Sequence, residues 1–261
     1  MSVKGSDVCF EGQEFYLGLD VHHKSWKVTI RTMGMEVKTM VMPPDPQRLH
    51  AHMVRNYPGG RYRSVYEAGF SGFWAHRQLV DLGMANHVVH AADVPTTDKE
   101  RRQKDDVRDS RKLARSLENG ELKPIHIPEP QIEQLRSLCR LRERSSSHIR
   151  RLKNRIKGHL KYYGIAVPED SAYRHWSGPF MARLEALCTE PGPRSDYLAI
   201  TLEALREETR RMALIIRKLR SHSREGEAAR IVRLLRTIPG IGPKTAFTLY
   251  TELQDIGRFA N

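Results

Sequence analysis

The chain has 261 residues, enough for one large domain or two modest ones, each with its own hydrophobic core. Apolar residues make up 39% of it and charged residues 29%, which is typical of soluble globular proteins and not of disordered or fibrous ones. No run of about eighteen apolar residues is present, so a membrane span is excluded. The N-terminus lacks a signal-peptide pattern, and three distant cysteines fit a reducing cytoplasm better than a disulfide scaffold.

Charge is the most informative property of the composition. Forty-four Lys and Arg outnumber 31 Asp and Glu, which gives a net charge of +13 at pH 7. Such an excess attracts polyanions, and nucleic acid is the commonest polyanion in a cytoplasm. Ribosomal and structural proteins share this property, so charge alone predicts contact with a phosphate backbone and no particular activity.

The first hundred residues alternate between strand and helix patterns. Strands are expected at Phe15–Asp20, Trp26–Ile30 and Glu36–Met42, in SVYEAG from Ser64 and in ANHVVHA from Ala85, with helices after Pro46 and from Phe73 to Leu82. Three strands, a helix and then strand–helix–strand predict an α/β sheet with an antiparallel start. The polar tract Asp93–Lys104 is predicted to be a mobile loop, followed by a helix over Asp106–Leu117.

The second half is predicted to be helical. Apolar residues recur every three or four positions from Pro130 to about Tyr163, which indicates one long amphipathic helix. A Pro- and Gly-rich tract over 164–195, expected to be a connector or a helical turn region, precedes a second long helix at Tyr197–Ser221 and a shorter one at 227–236.

The polar surface of the first long helix is strongly basic. A solvated face that only keeps the protein soluble is one explanation, but ten cations with few acids favour contact with nucleic acid. The candidate nucleic-acid-binding residues on it are Arg150, Arg151, Lys153, Arg155 and Lys157.

Four carboxylates occupy positions from which they could converge. Asp20 and Glu67 each end an apolar strand, and Asp106 and Asp109 lie three residues apart at the start of a predicted helix, on one face. Converging carboxylates repel one another unless cations neutralise them, and Mg²⁺ prefers such oxygen ligands. Two ions about 3.5–4 Å apart would suit phosphodiester transfer.

Simpler roles for these acids stay open. An Asp after a strand is often only a turn former, and two acids near a helix N-terminus often only complement the helix dipole. His22 and His23 could instead indicate a transition metal, although no third ligand stands at a telling spacing.

The segment Ile238–Ala246, IPGIGPKTA, places two glycines in a short turn between helical stretches. It resembles the hairpin of a helix–hairpin–helix motif, in which backbone N–H groups hold a DNA phosphate, so Gly240, Gly242 and Lys244 are nucleic-acid-binding candidates. Pro243 precedes Lys244 where a phosphate-binding P-loop requires glycine, so it is not a P-loop. A tight turn within a helical bundle is the alternative.

Five segments together resemble a known family. YLGLDVHHKSW, VYEAG, KDDVRDSRKLARSL, the KNRIK-containing helix and LLRTIPGIGPKTAFTLYTEL occur in the order found in insertion-sequence transposases of the Asp-Glu-Asp-Asp type. This is the IS-one-ten (IS110) family, with its IS-triple-one-one branch. Each motif alone is weak, but the ordered set covers the chain from about Phe15 to Phe259.

The resemblance implies an RNase H-like, RuvC-like N-terminal domain whose acidic tetrad binds Mg²⁺. By motif the tetrad falls on Asp20, Glu67, Asp106 and Asp109. It also implies coiled-coil-like helices used in oligomerisation as a dimer or tetramer, DNA as the substrate, and a structured noncoding guide RNA as a partner. The expected domains are a catalytic domain at 1–125, a basic helix and connector at 126–195, and a helical segment with the hairpin motif at 196–261.

One departure from the family pattern concerns the nucleophile. In the family, a serine that links covalently to DNA follows the hairpin segment, and no serine of this chain matches it. The expected function is Mg²⁺-dependent DNA strand cleavage and exchange in transposition. The alternatives are a junction-resolving nuclease that uses water, or a non-catalytic nucleic-acid-binding remnant.

Overall fold

The computed structural model describes residues 9–95, 106–166, 176–222, 224, 226–254 and 256–259, without the side chains of residues 106–108 and 258. The chain divides into two compact units, Met1–Ile127 and Pro128–Asn261. Most of the predicted loop at 93–104 lies outside the described residues. Within the described ranges, no helix is both long and apolar enough to cross a membrane.

The first unit is built on a five-stranded sheet. Its strands are β1 (Glu14–Val21), β2 (Trp26–Thr32), β3 (Met35–Met42), β4 (Arg61–Glu67) and β5 (Ala85–Val89), in the order β3-β2-β1-β4-β5. β1, β2 and β3 pair antiparallel, whereas β4 is parallel to both β1 and β5. The predicted α/β class with an antiparallel start is therefore confirmed.

Helices cover both faces of this sheet. α1 (Pro46–Asn56) and α2 (Trp74–Asp81) pack on one face, where side chains such as Phe15, Leu17 and Leu19 are buried. α3 (Asp106–Glu118) packs on the other face, where Val65 and Val89 meet Leu113 and Leu117. Since side chains alternate along a strand, the residues of β1 that alternate with Phe15, Leu17 and Leu19 face α3.

α3 contacts the sheet backbone directly at Gly18. A Cβ on Gly18 would overlap the carbonyl oxygen of Ser110 and lie 2.5 Å from the amide nitrogen of Ala114. Beside this contact, the buried hydroxyls of Thr29 and Ser110 form a hydrogen bond of 2.9 Å between β2 and α3. Glycine in β1 therefore sets how closely α3 approaches the sheet.

The second unit consists of helices. They are α4 (Pro130–Tyr162), α5 (Gly178–Ala186), α6 (Pro193–His222), α7 (Gly226–Leu235) and α8 (Pro243–Leu253). The predicted long helices are present, and the predicted connector contains α5. The sequence-derived boundary at 195/196 falls inside α6.

α4 and α6 form an antiparallel helical hairpin. The first turns of α4 share a buried cluster with Ile215 and Leu219 near the end of α6. The last turns of α4 share another cluster with Leu198 and Leu202 near the start of α6. The apolar stripe predicted on α4 is thus buried within the chain.

Replacing Gly18 with alanine should destabilise the first unit by about 3 kcal/mol or more, because the added methyl group meets backbone atoms that cannot move without shifting α3. Thermal unfolding followed by tryptophan fluorescence tests this, since Trp26 and Trp74 lie in this unit. Gly69→Ala is the control, because its Cβ would meet nothing nearer than 4.0 Å. Equal melting temperatures for the two variants would contradict the role of Gly18.

Candidate active site

Asp20 and Glu67 lie side by side at one edge of the sheet. β1 and β4 are parallel, and Leu19 of β1 is paired with Tyr66 of β4. Asp20 and Glu67 are the next residues of these two strands, so they are neighbours across the strand pair. Leu19 and Tyr66 face the core shared with α1 and α2, which places Asp20 and Glu67 on the opposite face, beneath α3. The carboxyl ends of parallel strands are where α/β proteins commonly place their sites.

α3 carries the other two predicted acids over this same face. Asp109 is exposed and directly precedes Ser110, whose buried hydroxyl is bonded to Thr29. Asp106 is the first residue of α3, one turn before Asp109, and its side chain lies outside the described residues.

The charges of three carboxylates meet at Glu67. Burial raises the pKa of the Glu67 carboxyl, and the negative charges of Asp109 and Asp20 raise this pKa further. Lys112 and His90 act in the opposite direction by favouring the charged form. Asp20 and Asp109, from β1 and α3, are therefore both within electrostatic reach of Glu67 on β4.

Two further side chains border the acids: Lys112, which was not predicted from the sequence, and His22, which was considered there only as a transition-metal ligand. Lys112 follows Asp109 by three positions on α3, so the helical spacing alone could have indicated it. The imidazole Nε2 of His22 lies 3.4 Å from Asp20 Oδ1, and the Asp20 side chain is 17% exposed. His23 lies beside the exposed ring of Phe70, 6.5 Å between ring centroids.

The acids fit a hard divalent cation by their chemistry. Asp20, Glu67 and Asp109 offer only carboxylate oxygens, the donors that Mg²⁺ prefers. Burial, and then the charges of Asp109 and Asp20, disfavour the ionised form of Glu67, and a bound cation would favour it. As the described side chains lie, no three acidic, histidine or cysteine residues among them form a ready cluster of metal ligands. The described side chains likewise form no cluster of three metal ligands around His22 and His23, where a transition metal was the alternative.

The predicted nucleic-acid-binding residues of α4 do not all behave alike. Arg150, Arg151, Arg155 and Lys157 are exposed. The ammonium group of Lys153 instead lies 5.2 Å from the centre of the Trp176 ring. Burial, and then the charge of Lys157, lower the pKa of Lys153.

Other cations of α4 are engaged within the second unit. The Arg136 guanidinium donates to the Thr251 carbonyl oxygen at 2.8 Å, and Arg140 binds the Glu252 carboxylate through two nitrogens at 2.9 and 3.0 Å. These arginines hold α8 against the first half of α4. The predicted excess of free positive charge is therefore concentrated in the second half of α4.

The glycine turn lies between α7 and α8, two packed helices, as predicted. Gly240 takes a left-handed conformation with φ of 84°, and Gly242 caps α8. Both glycines are exposed. Lys244 forms an ion pair with Glu143 of α4, 3.1 Å between Nζ and Oε1. Binding of phosphate by this turn stays a prediction.

Replacing Glu67 with glutamine should raise the melting temperature of the first unit at pH 7. Because the folded-state pKa lies above the ordinary value of 4.5, the ionised carboxyl destabilises the folded state above that pKa. The difference from wild type should shrink as the pH falls below 4.5, where the carboxyl is protonated in both states. Glu121→Gln, at an exposed position, is the control. A lower melting temperature for E67Q at pH 7 would contradict the electrostatic description.

Comparison with known sequences adds an independent result. Residues 17–165 match a family described as transposase, and residues 232–261 match the transposase IS116/IS110/IS902 family. Two proteins of Sinorhizobium fredii (strain NBRC 101917 / NGR234) that are named as transposases are similar to the chain. One, y4rJ, is 30% identical over 72% of this chain and 51% of its own length. The other, y4qE, is 28% identical over 74% and 45%.

The chain spans about half the length of these curated relatives. The first family match covers more than half of the chain; it begins within β1, before Asp20, and contains β4 and α3, which carry the other acids. The second match covers the glycine turn and α8. The chain therefore belongs to the IS110 family of transposases.

Proposed function

We propose that the first unit is an RNase H-like catalytic domain that cleaves and exchanges DNA strands in transposition, with Mg²⁺ held by Asp20, Glu67, Asp106 and Asp109. The observation that carries this proposal is the placement of Asp20 and Glu67 on neighbouring parallel strands beneath Asp109 of α3. Membership of the transposase family supports the same activity.

The sheet supports the RNase H-like assignment. An antiparallel β1–β2–β3 meander that continues through parallel β4 and β5, with helices on both faces, gives the order β3-β2-β1-β4-β5. Asp20 lies on β1, the central strand, and Glu67 lies on β4, its parallel neighbour. α3 packs across both strands and carries Asp109 at the same edge, and Asp106 is in the turn of α3 that precedes Asp109.

The acids would hold the metal ions from two rigid strands and one helix. Bound Mg²⁺ would activate the attacking oxygen and stabilise charge on the leaving oxygen of the phosphodiester. Asp20 and Glu67 are held by rigid strands and fix the position of the scissile phosphate, while α3 supplies Asp109 from above. Lys112 and His90 favour the charged form of Glu67 and so partly oppose the effects of burial and of the neighbouring acids.

The second unit supplies nucleic-acid contacts in this proposal. Exposed Arg150, Arg151, Arg155 and Lys157 favour binding of a phosphate backbone, from DNA or from a structured guide RNA. The exposed turn at Gly240 and Gly242 would add a backbone contact to phosphate. A homodimer or tetramer is part of the proposal, and light scattering with the full chain tests it.

Asp109→Asn should abolish Mg²⁺-dependent cleavage of a synthetic four-way DNA junction, leaving about one thousandth of the rate or less, because it removes a metal ligand charge. The fold should persist, since Asp109 is exposed. Asp93→Asn is the matched control, being an exposed nearby acid outside the tetrad, and it should cleave like wild type. Gel analysis of end-labelled junctions measures both rates, and circular dichroism confirms folding.

The same assay separates the alternatives. Mg²⁺-dependent joining of the cut strand to a second DNA is the result expected for a strand-exchanging transposase. Cleavage without joining favours a junction-resolving nuclease with water as nucleophile. Salt-sensitive binding without any cleavage in Mg²⁺ favours a non-catalytic binding protein. Wild-type cleavage by Asp109→Asn would overturn the assignment of the site.

A further inference from the structure

A cluster of aromatic rings lies at the tip of the α4–α6 hairpin, away from the predicted acidic site in sequence and in fold unit. Tyr162 is 83% exposed, and Tyr163 and Tyr197 are 46% and 42% exposed. Exposed apolar side chains that are grouped in one place can mark a surface for a ligand or a partner. No part of the transposase chemistry described above uses them.

Internal contacts fix two of these rings in place. The His159 imidazole stacks on the Tyr197 ring, with centroids 4.5 Å apart and planes 17° apart, and its Nε2 lies 3.1 Å from the Arg194 carbonyl oxygen. Tyr163 packs edge-on against His159, 4.9 Å between centroids. Tyr162 projects beyond them, 5.1 Å from Tyr163. The rings therefore form a preorganised surface with one ring most open to solvent.

Positive charge surrounds the rings. The Arg194 guanidinium carbon lies 5.7 Å from the centre of the Tyr163 ring, and Arg194 also pairs with Glu190 at 3.3 Å. Arg155 lines the same cleft, of about 480 Å³, and makes no ion pair with any residue that the structure describes. Arg151 lies one turn before Arg155 on the exposed face of α4. Aromatic faces beside cations suit a ligand that is both planar and anionic.

Gly158 forms part of the floor of this cleft, between Arg155 and Tyr162 on the exposed face of α4. Glycine within a helix lowers helix stability relative to alanine. No heavy atom lies within 4 Å of where a Cβ on Gly158 would be, so packing within the protein does not require glycine here. The missing side chain at Gly158 leaves an open notch beside the rings, which would let a ligand approach the backbone of α4 closely.

We infer that the hairpin tip is a stacking platform for unpaired nucleotides, with bases on Tyr162 and Tyr197 and the adjoining phosphates at Arg155. Aromatic stacking captures unpaired bases without regard to sequence, whereas bases inside a duplex are already stacked. This inference rests on the proposed role of the second unit in binding nucleic acid, and it adds that the strand is single. RNA and DNA share this chemistry, so both are probes in the test.

The test measures binding of a fluorescein-labelled unpaired oligonucleotide, as DNA and as RNA, to the full chain in EDTA, so that cleavage plays no part. Tyr162→Ala should weaken binding about tenfold, whereas Tyr162→Phe, which keeps the ring, should bind like wild type. The matching duplex should change less than twofold. A 2-aminopurine base in the strand should be quenched by the wild-type chain and by Tyr162→Phe, but not by Tyr162→Ala.

Two further variants separate stacking from charge and from folding. Gly158→Ala should weaken binding of the unpaired strand severalfold while raising the melting temperature, because alanine is the better helix former. Arg155→Ala should reduce the salt dependence of binding by about one phosphate contact, which the tyrosine variants should leave unchanged. A Gly158→Ala chain that binds like wild type would contradict a close approach of ligand at the notch.

Equal losses on duplex and unpaired strands for Tyr162→Ala, or no loss on either, would overturn the platform. Neither result would bear on the proposed Mg²⁺-dependent cleavage at the acidic site, which is measured separately. Failure of the wild-type chain to bind any DNA or RNA would overturn both the platform and the proposed role of the second unit. Preference of the intact platform for one of the two probes would identify whether it takes RNA or DNA.

Discussion

The arrangement of the candidate active site depends on the contact between α3 and β1 at Gly18. The absence of a side chain there lets the backbone of α3 rest on the backbone of the strand, and the Thr29–Ser110 hydrogen bond fixes the helix beside that contact. Asp109 is next to Ser110, so its distance from the sheet follows from this packing. Without it, two strand-end acids would remain, with no third acid above them.

The same packing creates an electrostatic cost. Burial, and then the negative charges of Asp109 and Asp20, raise the pKa of Glu67, so the ionised Glu67 carboxyl makes the folded chain less stable. Buried side chains on both faces of the sheet hold this arrangement in place. A site whose repulsion is relieved by a divalent cation is the arrangement expected for metal-dependent phosphoryl chemistry.

Much of the fold could be predicted from local patterns, because period-two and period-3.6 spacing of apolar residues specify strands and helices directly. The end of β4 at Glu67 was predictable for the same reason, whereas β1 continues one residue past Asp20, to Val21. What could not be predicted were partners distant in sequence, such as Thr251 and Glu252 binding Arg136 and Arg140, or Trp176 beneath Lys153. Apolar spacing shows which face of α4 is buried, but not which of its cations find a partner more than a hundred residues away.

The central claim is that the acids on β1, β4 and α3 form one divalent-cation site, and direct measurement of Mn²⁺ binding to the full chain tests it most simply. Electron paramagnetic resonance reports free Mn²⁺ in solution without requiring nucleic acid or catalysis. The account predicts that the wild-type chain binds one or two ions and that Asp20→Asn binds them much more weakly, while Mg²⁺ displaces Mn²⁺. Equal Mn²⁺ binding by wild type and Asp20→Asn, or no binding by either, would contradict it.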